Sequence, residues 1–257
     1  MRFTNQIPLP IALFLLTVPL FASTYNTKFP ATENPICEGS PCNWTVPGSV
    51  ASQWGNVQTT PGLAFGVSEP TQFGDPTAVL TGTWGPDQTL QGTIKVNTIP
   101  AQGEVELRLR MTISSNNIKG YEVLCPTQKN PGYGVQIVRW NGPNGKYAYL
   151  PQTGNTGAHQ CLNGDVIKAT ITGGTPASSN PVVINVYLNG SSTPFTSATD
   201  DGTASNPGGA AGPWTSGNPG IGFYDSQDNN WSFFGLSSFM ATDGSVAPPT
   251  DLSAVVQ

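Results

Sequence analysis

Two carboxylates stand first among the residues able to do chemistry. Glu104 and Glu106 lie two apart in a stretch that continues Leu107, Arg108, Leu109, Arg110, Met111. In an extended strand that spacing puts both side chains on one face, about 6.6–7 Å apart along the chain. Pairs that cleave glycosidic bonds stand roughly 5–9.5 Å apart, so the spacing is within range. Arg108 and Arg110 share the same face by parity, however. Neighbouring cations favour an ionised carboxylate, whereas a general acid must hold its proton near neutrality. The pattern therefore predicts a solvated row of charge on an exposed sheet face, and no catalytic residue is assigned. A base for proton abstraction would have to come from Tyr121, Tyr133, Tyr147 or His159, and no spacing selects one. His159 is the single histidine, which excludes any multi-histidine metal centre.

Aromatic residues supply a second kind of chemistry. Sugar rings present apolar faces that stack on Trp and Tyr, while their hydroxyls need polar neighbours. Arg139 and Trp140 end one strand-like run, and Tyr147 and Tyr149 lie on the hairpin arm opposite. Tyr187 shares the polar face of its run with Asn185, and Tyr224, Asp225 and Trp231 flank the last loop. The candidate ligand-binding set is Arg139, Trp140, Tyr147, Tyr187, Tyr224 and Asp225. Asp75, Asp200, Asp201 and Asp243 are the oxygen donors from which one structural Ca²⁺ site would be built, since Ca²⁺ takes 6–8 such ligands. No dense Asp/Asn loop accompanies them, so no metal ligand is assigned. No two cysteines have C-x-x-C spacing, which excludes a zinc pair of that kind. Gly217, Gly220 and Gly222 precede no helix and read as a tight turn.

The elements that must carry these residues are strands. The 257 residues include 30 Gly and 24 Pro, both poor inside helices. Charged residues are only 10% of the chain, against about 25% in an average soluble protein. The formal charge is −5, and the scattered basic residues leave no nucleic-acid footprint. Short alternating runs separated by turn residues begin near residue 62, as in a β-sandwich. They cover 78–84, 89–96, 104–111, 120–125, 133–140, 146–150, 165–171, 182–188 and 231–241. In 104–111, Val105, Leu107, Leu109 and Met111 share the face that must pack inward. Residues 141–145 join two runs as a hairpin turn. Residues 23–61 read as an irregular N-terminal arm, 62–244 as the domain, about 191–218 as a long loop within it, and 245–257 as a polar tail.

Residues 1–22 read as a secretory leader, with Arg2 before an apolar run at 11–21 and small residues at Ala22 and Ser23. The run is shorter than the ~20 residues that span a bilayer, so no membrane insertion is expected after cleavage. Export permits disulfides. Cys37 and Cys42 enclose a short turn-rich loop, and Cys125 and Cys161 each border a strand-like run. The expected pairs are Cys37–Cys42 and Cys125–Cys161, with the other two connectivities open. Asn43, Asn189 and Asn230 begin glycosylation sequons.

The succession of runs resembles the concanavalin A-like lectin/glucanase superfamily, in its laminin-G-like bacterial branch. The carrying pieces are "DQTLQGTIKV" at 87–96, "GYEVL" at 120–124, "VQIVRWNG" at 135–142 and "GDVIKATITG" at 164–173. They continue with "INVYLNG" at 184–190, "GNPGIGFYD" at 217–225 and "FFGLSSFMATD" at 233–243. The resemblance covers residues 62–244 and implies an all-β, two-sheet antiparallel jelly-roll sandwich whose concave face binds, or in some relatives cuts, glycans. The glucanases of the superfamily carry Glu-x-Asp-x-x-Glu on one strand. Glu104 and Glu106 fill the first two places here, and Arg108 or Leu109 stands in the third. Glu106-Leu107-Arg108 and Gln136-Ile137-Val138 resemble parts of the alginate-lyase motifs, with Val138 at the histidine position and Val105 at that of the small hydroxyl residue. The expectation is a secreted, non-catalytic protein that binds a polysaccharide, glycan or other cell-surface polymer, without nucleic-acid partners. The alternatives are a polysaccharide-cleaving enzyme on the same fold and a structural or adhesive module.

Overall fold

The computed structural model describes residues 22–47, 54–66, 75–114, 117–143, 145–174, 180–202, 212–225 and 231–244, with only the backbone of Trp231. The expected leader up to residue 21, the expected tail 245–257 and the sequon at Asn230 lie outside these. Sixteen strands occur among the described residues. They are β1 (Thr24–Thr27), β2 (Trp44–Thr45), β3 (Val57–Thr60), β4 (Leu63–Gly66), β5 (Thr77–Leu80), β6 (Gln88–Val96), β7 (Glu104–Ser114) and β8 (Asn117–Pro126). After them come β9 (Gln136–Gly142), β10 (Tyr147–Tyr149), β11 (Gln152–Gly154), β12 (Val166–Thr172), β13 (Val182–Leu188), β14 (Thr196–Asp200), β15 (Asn218–Tyr224) and β16 (Phe234–Asp243). A short 3₁₀ turn, Trp231–Phe233, leads into the last strand.

These strands make two antiparallel sheets. The first has the order β11-β14-β13-β12-β6-β16-β4-β3, with β1 also paired to β16, and the second β10-β9-β8-β7-β15-β5-β2. Alternation explains the packing. Val182, Ile184 and Val186 of β13 and Ile167, Ala169 and Ile171 of β12 point inward from the first sheet. Val105, Leu107 and Leu109 of β7, Val123 of β8, Ile137 of β9 and Ile221 and Phe223 of β15 meet them from the second. All are buried, as a sandwich core requires. The all-β, two-sheet jelly-roll expectation holds.

Three sequence expectations are corrected. The segment 23–61 is not an irregular arm. Within it β1 pairs with β16, β2 with β5 and β3 with β4, while Phe29, Ile36 and Trp44 enter the core. These strands are two to four residues long, too short to show a period, and the ladders of β1 and β2 are completed by partners distant in sequence. The expected loop 191–218 contains β14, whose buried residues are Thr196, Ala198 and Asp200. A strand whose inward side chains are small or polar shows no hydrophobic alternation. Finally, Met111 does not share the core face. The register of β7 against β8 shifts between Leu109 and Thr112, and Arg110 adopts φ 50°, a conformation few side chains tolerate. This bulge turns Met111 to the other side of the sheet, where it packs with Trp54, Val79, Ile118, Leu124, Val138 and Trp140. Arg110 is held there by its donors: its backbone N–H to Gln88 Oε1 at 2.9 Å, Nη1 to the Trp214 carbonyl at 3.1 Å and Nη2 to the Gly173 carbonyl at 2.9 Å.

Both disulfides join the expected partners, Cys37 to Cys42 and Cys125 to Cys161. The second ties the end of β8 to the loop before β12 and so links the two sheets, across a sequence separation of 36. Closing a loop of that size restricts the unfolded chain and contributes about 2–4 kcal/mol. Cys125→Ser is therefore expected to lower the midpoint of chemical denaturation by a corresponding amount, with wild type plus reductant, which loses both disulfides, falling at least as far.

Candidate functional site

The site is built on the outward face of the second sheet. When Val105, Leu107 and Leu109 point to the core, Glu104, Glu106 and Arg108 must point away from it. The pairing places Arg108 beside Glu122, Glu106 beside Leu124 and beside Gly222, and Glu122 beside Val138. Trp140 of β9 lies beside Tyr147 of β10, and Val138 beside Tyr149. One face thus gathers three acids, an arginine and an aromatic row from four adjacent strands.

This face is not the solvated charge row that the sequence predicts. Glu106 and Arg108 are fully buried and Glu122 nearly so. Arg108 forms ion pairs through Nη2 with Glu106, through Nη1 with Glu122 at 2.5 Å, and more distantly with Asp75 at 3.9 Å. Trp140 donates its indole N–H to Glu122 at 2.5 Å, and its ring lies 5.5 Å from the guanidinium. The layer fits only because β15 carries Gly222. A Cβ there would overlap Glu106 Oε2 and the Arg108 Nε. Trp140 over the guanidinium, with Trp54 packed edge-on against it at 4.8 Å, helps to keep these charges from water.

The electrostatics follow from four carboxyls sharing one guanidinium. Burial pushes the Asp75 carboxyl up to about 7, against the pull of Arg108 and with the repulsion of Glu122. Burial likewise raises Glu104 to about 8, although Tyr133 donates a hydrogen bond to it. Glu106 is raised well above the carboxylate range, first by burial. Burial also works against the charge of Arg108, but Glu106, Glu122 and Asp75 outweigh it and raise its pKa. Glu104 is therefore a proton-bearing acid at neutral pH, contrary to the ionised row expected from its arginine neighbours. Burial outweighs the single cation. Tyr133, which contacts it, accepts a hydrogen bond from Gln128 Nε2 at 3.0 Å, and Gln128 Oε1 accepts one from the Gly103 N–H.

Above this layer opens a cleft of about 530 Å³. Its acidic floor is Asp75, Glu104 and Glu122, with Gln102 and Gln136 beside them. Its aromatic walls are Tyr133, Trp140, Tyr147, Tyr149 and Tyr224. Tyr147 stands 5.0 Å from Trp140 and 5.4 Å from Tyr149, and Tyr149 is 53% exposed. A smaller groove of about 360 Å³, lined by Thr45, Val79, Met111 and Ile113 among others, borders the same sheet. Met111 reaches it because of the bulge.

Of the six expected ligand-binding residues, Trp140, Tyr147 and Tyr224 line this cleft. Arg139 does not. One position from Trp140 in a strand, it points the opposite way, fully buried, and pairs with Asp200 of the other sheet at 2.6 Å. Tyr187 lies on the outer face of the first sheet, under the Lys168 ammonium at 4.2 Å, apart from the other candidates. Asp225 is buried at the end of β15 and is not among the cleft residues. Two of the four aspartates considered for calcium are occupied by protein donors. Asp200 accepts from Arg139, Tyr121 and the Gly202 N–H, and Asp243 from the N–H groups of Ser23 and Gly85. Asp75 faces Arg108. His159 stacks on Phe195 at 4.9 Å, away from the acids. Glu122 was given no role by sequence reasoning, and Gln136 entered it only through the lyase-like motif. Strand parity puts Glu122 opposite Tyr121 and Val123 in orientation, but only the register places it against Arg108.

The raised carboxyls link stability to pH. An unfolded carboxyl ionises near 4.3. The folded Asp75 and Glu104 keep their protons to about 7 and about 8. Between those limits the folded state binds more protons, so stability falls as pH rises. The melting temperature is expected to drop from about pH 5 to about pH 8, and Glu104→Gln to flatten the upper part of the curve, as read by differential scanning calorimetry.

No family model matches the chain, and no curated protein matches it in sequence. Solved structures are similar in fold. The CBM2 module of the evolved Dit of Lactobacillus casei BL23 phage J-1 aligns with 90% of this chain and 100% of its own, at 12% identity and a TM-score of 0.50. An immunostimulatory antigen and pseudo β-1,3-glucanase of Mycobacterium tuberculosis aligns with 88% and 99%, at 12% identity and a TM-score of 0.46. The carbohydrate binding module CBM66 from Bacillus subtilis aligns with 79% and 92%, at 14% identity and a TM-score of 0.43. At such identities the likeness is one of fold, a two-sheet antiparallel jelly-roll sandwich.

Proposed function

We propose that this protein binds a carbohydrate chain, without cutting it, in the cleft of its second sheet. The observation that carries the reading is the aromatic row Trp140, Tyr147 and Tyr149 standing beside carboxyl and amide groups in one open cleft. Tyrosine rings offer the apolar face that a sugar ring stacks on. Gln102, Gln136 and the protonated Glu104 offer donors and acceptors for its hydroxyls. The two disulfides suit an oxidising compartment, and with the leader at 1–22 they support a secreted protein. The strand succession supports placing it in the laminin-G-like branch.

A second reading is favoured by one specific feature. Glu104 holds a proton while Glu122 accepts from Arg108 and Trp140. A proton-bearing carboxyl with a second carboxyl in the same cleft is the kind of pair that acid-assisted glycoside cleavage uses. Against it, Glu122 is nearly buried and already shares its oxygen with two donors, so its attack on a sugar would break both contacts.

Glycan-array and affinity-electrophoresis measurements separate the two. Wild type is expected to bind without releasing reducing ends or unsaturated ends. Tyr147→Ala removes a stacking ring and should weaken binding about tenfold, or about 1.4 kcal/mol. Turnover by wild type that disappears in Glu104→Gln would establish the enzyme reading instead.

A further inference from the structure

We propose that the glycan held in this cleft carries free amines, as in an oligomer of glucosamine, and that an ammonium group bridges Glu104 and Glu122. The inference rests on the carbohydrate-binding reading and narrows it. Asp75, Glu104 and Glu122 line the cleft, and no lysine or arginine does among the described residues. The one guanidinium nearby, Arg108, is 0% exposed beneath them and engaged by Glu106 and Glu122. A ligand carboxylate or sulfate would meet three acids and no reachable cation. Four carboxyls share one guanidinium, so a second cation at the cleft would let Glu104 give up its proton and ionise. Glu106, fully buried below the cleft, keeps Oε1 without a hydrogen-bond donor among the described residues.

The spacing fits such a ligand. Carboxylate oxygens of Glu104, Glu106 and Glu122 lie within 4.8 Å of one another. A tetrahedral ammonium that donates two charge-assisted hydrogen bonds of about 2.8 Å sets its acceptors about 4.6 Å apart. The rings of Tyr147 and Tyr149 are placed to stack on the sugar that carries the amine. An ammonium also relieves the penalty of ionising buried acids, which water cannot do there.

The test is calorimetric titration near pH 7, where such amines stay largely charged and a bound ammonium can displace the Glu104 proton, with three probes of equal length. These are a glucosamine oligomer, its N-acetylated counterpart and an oligogalacturonate. The glucosamine oligomer is expected to bind at least tenfold more tightly than the neutral one, with the uronate weakest. Glu104→Gln should remove most of that preference, whereas Tyr147→Ala should weaken both amino-sugar probes. Added salt should weaken only the charged contribution. Equal affinity for the first two probes, a preference for the uronate, or binding that depends on added calcium would overturn the inference while leaving glycan binding intact. Failure of every glycan to bind in a Tyr147-dependent way would instead overturn the parent reading.

A different observation carries a second inference: the geometry points to Ser23 as the mature N-terminus, its α-ammonium captured by Asp243. Asp243 is largely buried at the end of β16. Its Oδ1 accepts from the Ser23 backbone nitrogen at 2.5 Å and its Oδ2 from the Gly85 N–H at 2.7 Å. Its own N–H donates to the Ser23 carbonyl at 3.1 Å. Among the described residues no lysine or arginine pairs with it. Hydrolysis of the Ala22–Ser23 bond by a signal peptidase consumes one water, leaves the carboxyl on Ala22 and frees an α-amine at the position Asp243 already holds. That amine, protonated, supplies the missing cation. N-terminal sequencing of the secreted protein should begin at Ser23. Asp243→Asn should lower its melting temperature and make the α-amine react faster with acylating reagents. A different first residue, or an Asp243→Asn protein unchanged in both respects, would overturn the assignment.

Discussion

The outward face of the second sheet depends on Arg108. A guanidinium cannot be left unpaired away from water, and this one is fully buried on the side of the sheet opposite the core. Its partners come from β7 itself, from β8 and from the segment just before β5. The pairing therefore holds only in one register of β7 against β8. A slip of one residue would turn Glu122 to the core and Val123 outward, leaving Arg108 uncompensated. The glycine at 222 is the same constraint seen from the neighbouring strand, where a side chain would occupy the space of the ion pair. Buried ion pairs contribute little net stability. Their effect here is on arrangement: they fix which side chains meet at the base of the cleft.

From that layer the properties of the cleft follow. One guanidinium cannot offset the desolvation of four carboxyls, so Asp75, Glu104 and Glu106 are pushed upward rather than held ionised. The aromatic row depends on the same pairing. Trp140 is anchored by its indole hydrogen bond to Glu122, and Tyr147 packs on Trp140. Charge and stacking surface are thus mechanically joined.

Two further polar devices hold the scaffold in shape. The bulge at Arg110 redirects Met111 to the cleft side and sends the arginine toward backbone carbonyls of three loops. Gln88 secures it from the other sheet, accepting from the Arg110 N–H and donating to the Gly217 carbonyl at 2.7 Å. Between the sheets, Asp200 of β14 binds Arg139 of β9 and the Tyr121 hydroxyl of β8, and that hydroxyl accepts from the Trp214 N–H. Satisfied groups of this kind cost little to bury and specify which loops lie together.

Alternation along single strands and turn chemistry were enough to read an all-β sandwich, the inward set Val105, Leu107 and Leu109 and the 141–145 hairpin. These are local properties, because strand parity and turn chemistry act over a few residues. Trp140 and Tyr147 were legible as a pair for the same reason, a hairpin apart. What the chain alone could not reveal depends on register and packing. Parity says that Glu104, Glu106 and Arg108 leave the core, but not that Trp140, Trp54 and the register with Glu122 take Glu106 and Arg108 out of water as well. It assigns Arg139 and Trp140 to one strand end, yet places them on opposite sides of the sheet, one in an ion pair and the other in the cleft. The short strands β1 and β2 exist because distant partners complete their ladders. The sequence by itself determined which residues are able to face away from the core; only the tertiary structure decided which of those meet water, since burial of a charge is a property of everything packed around it.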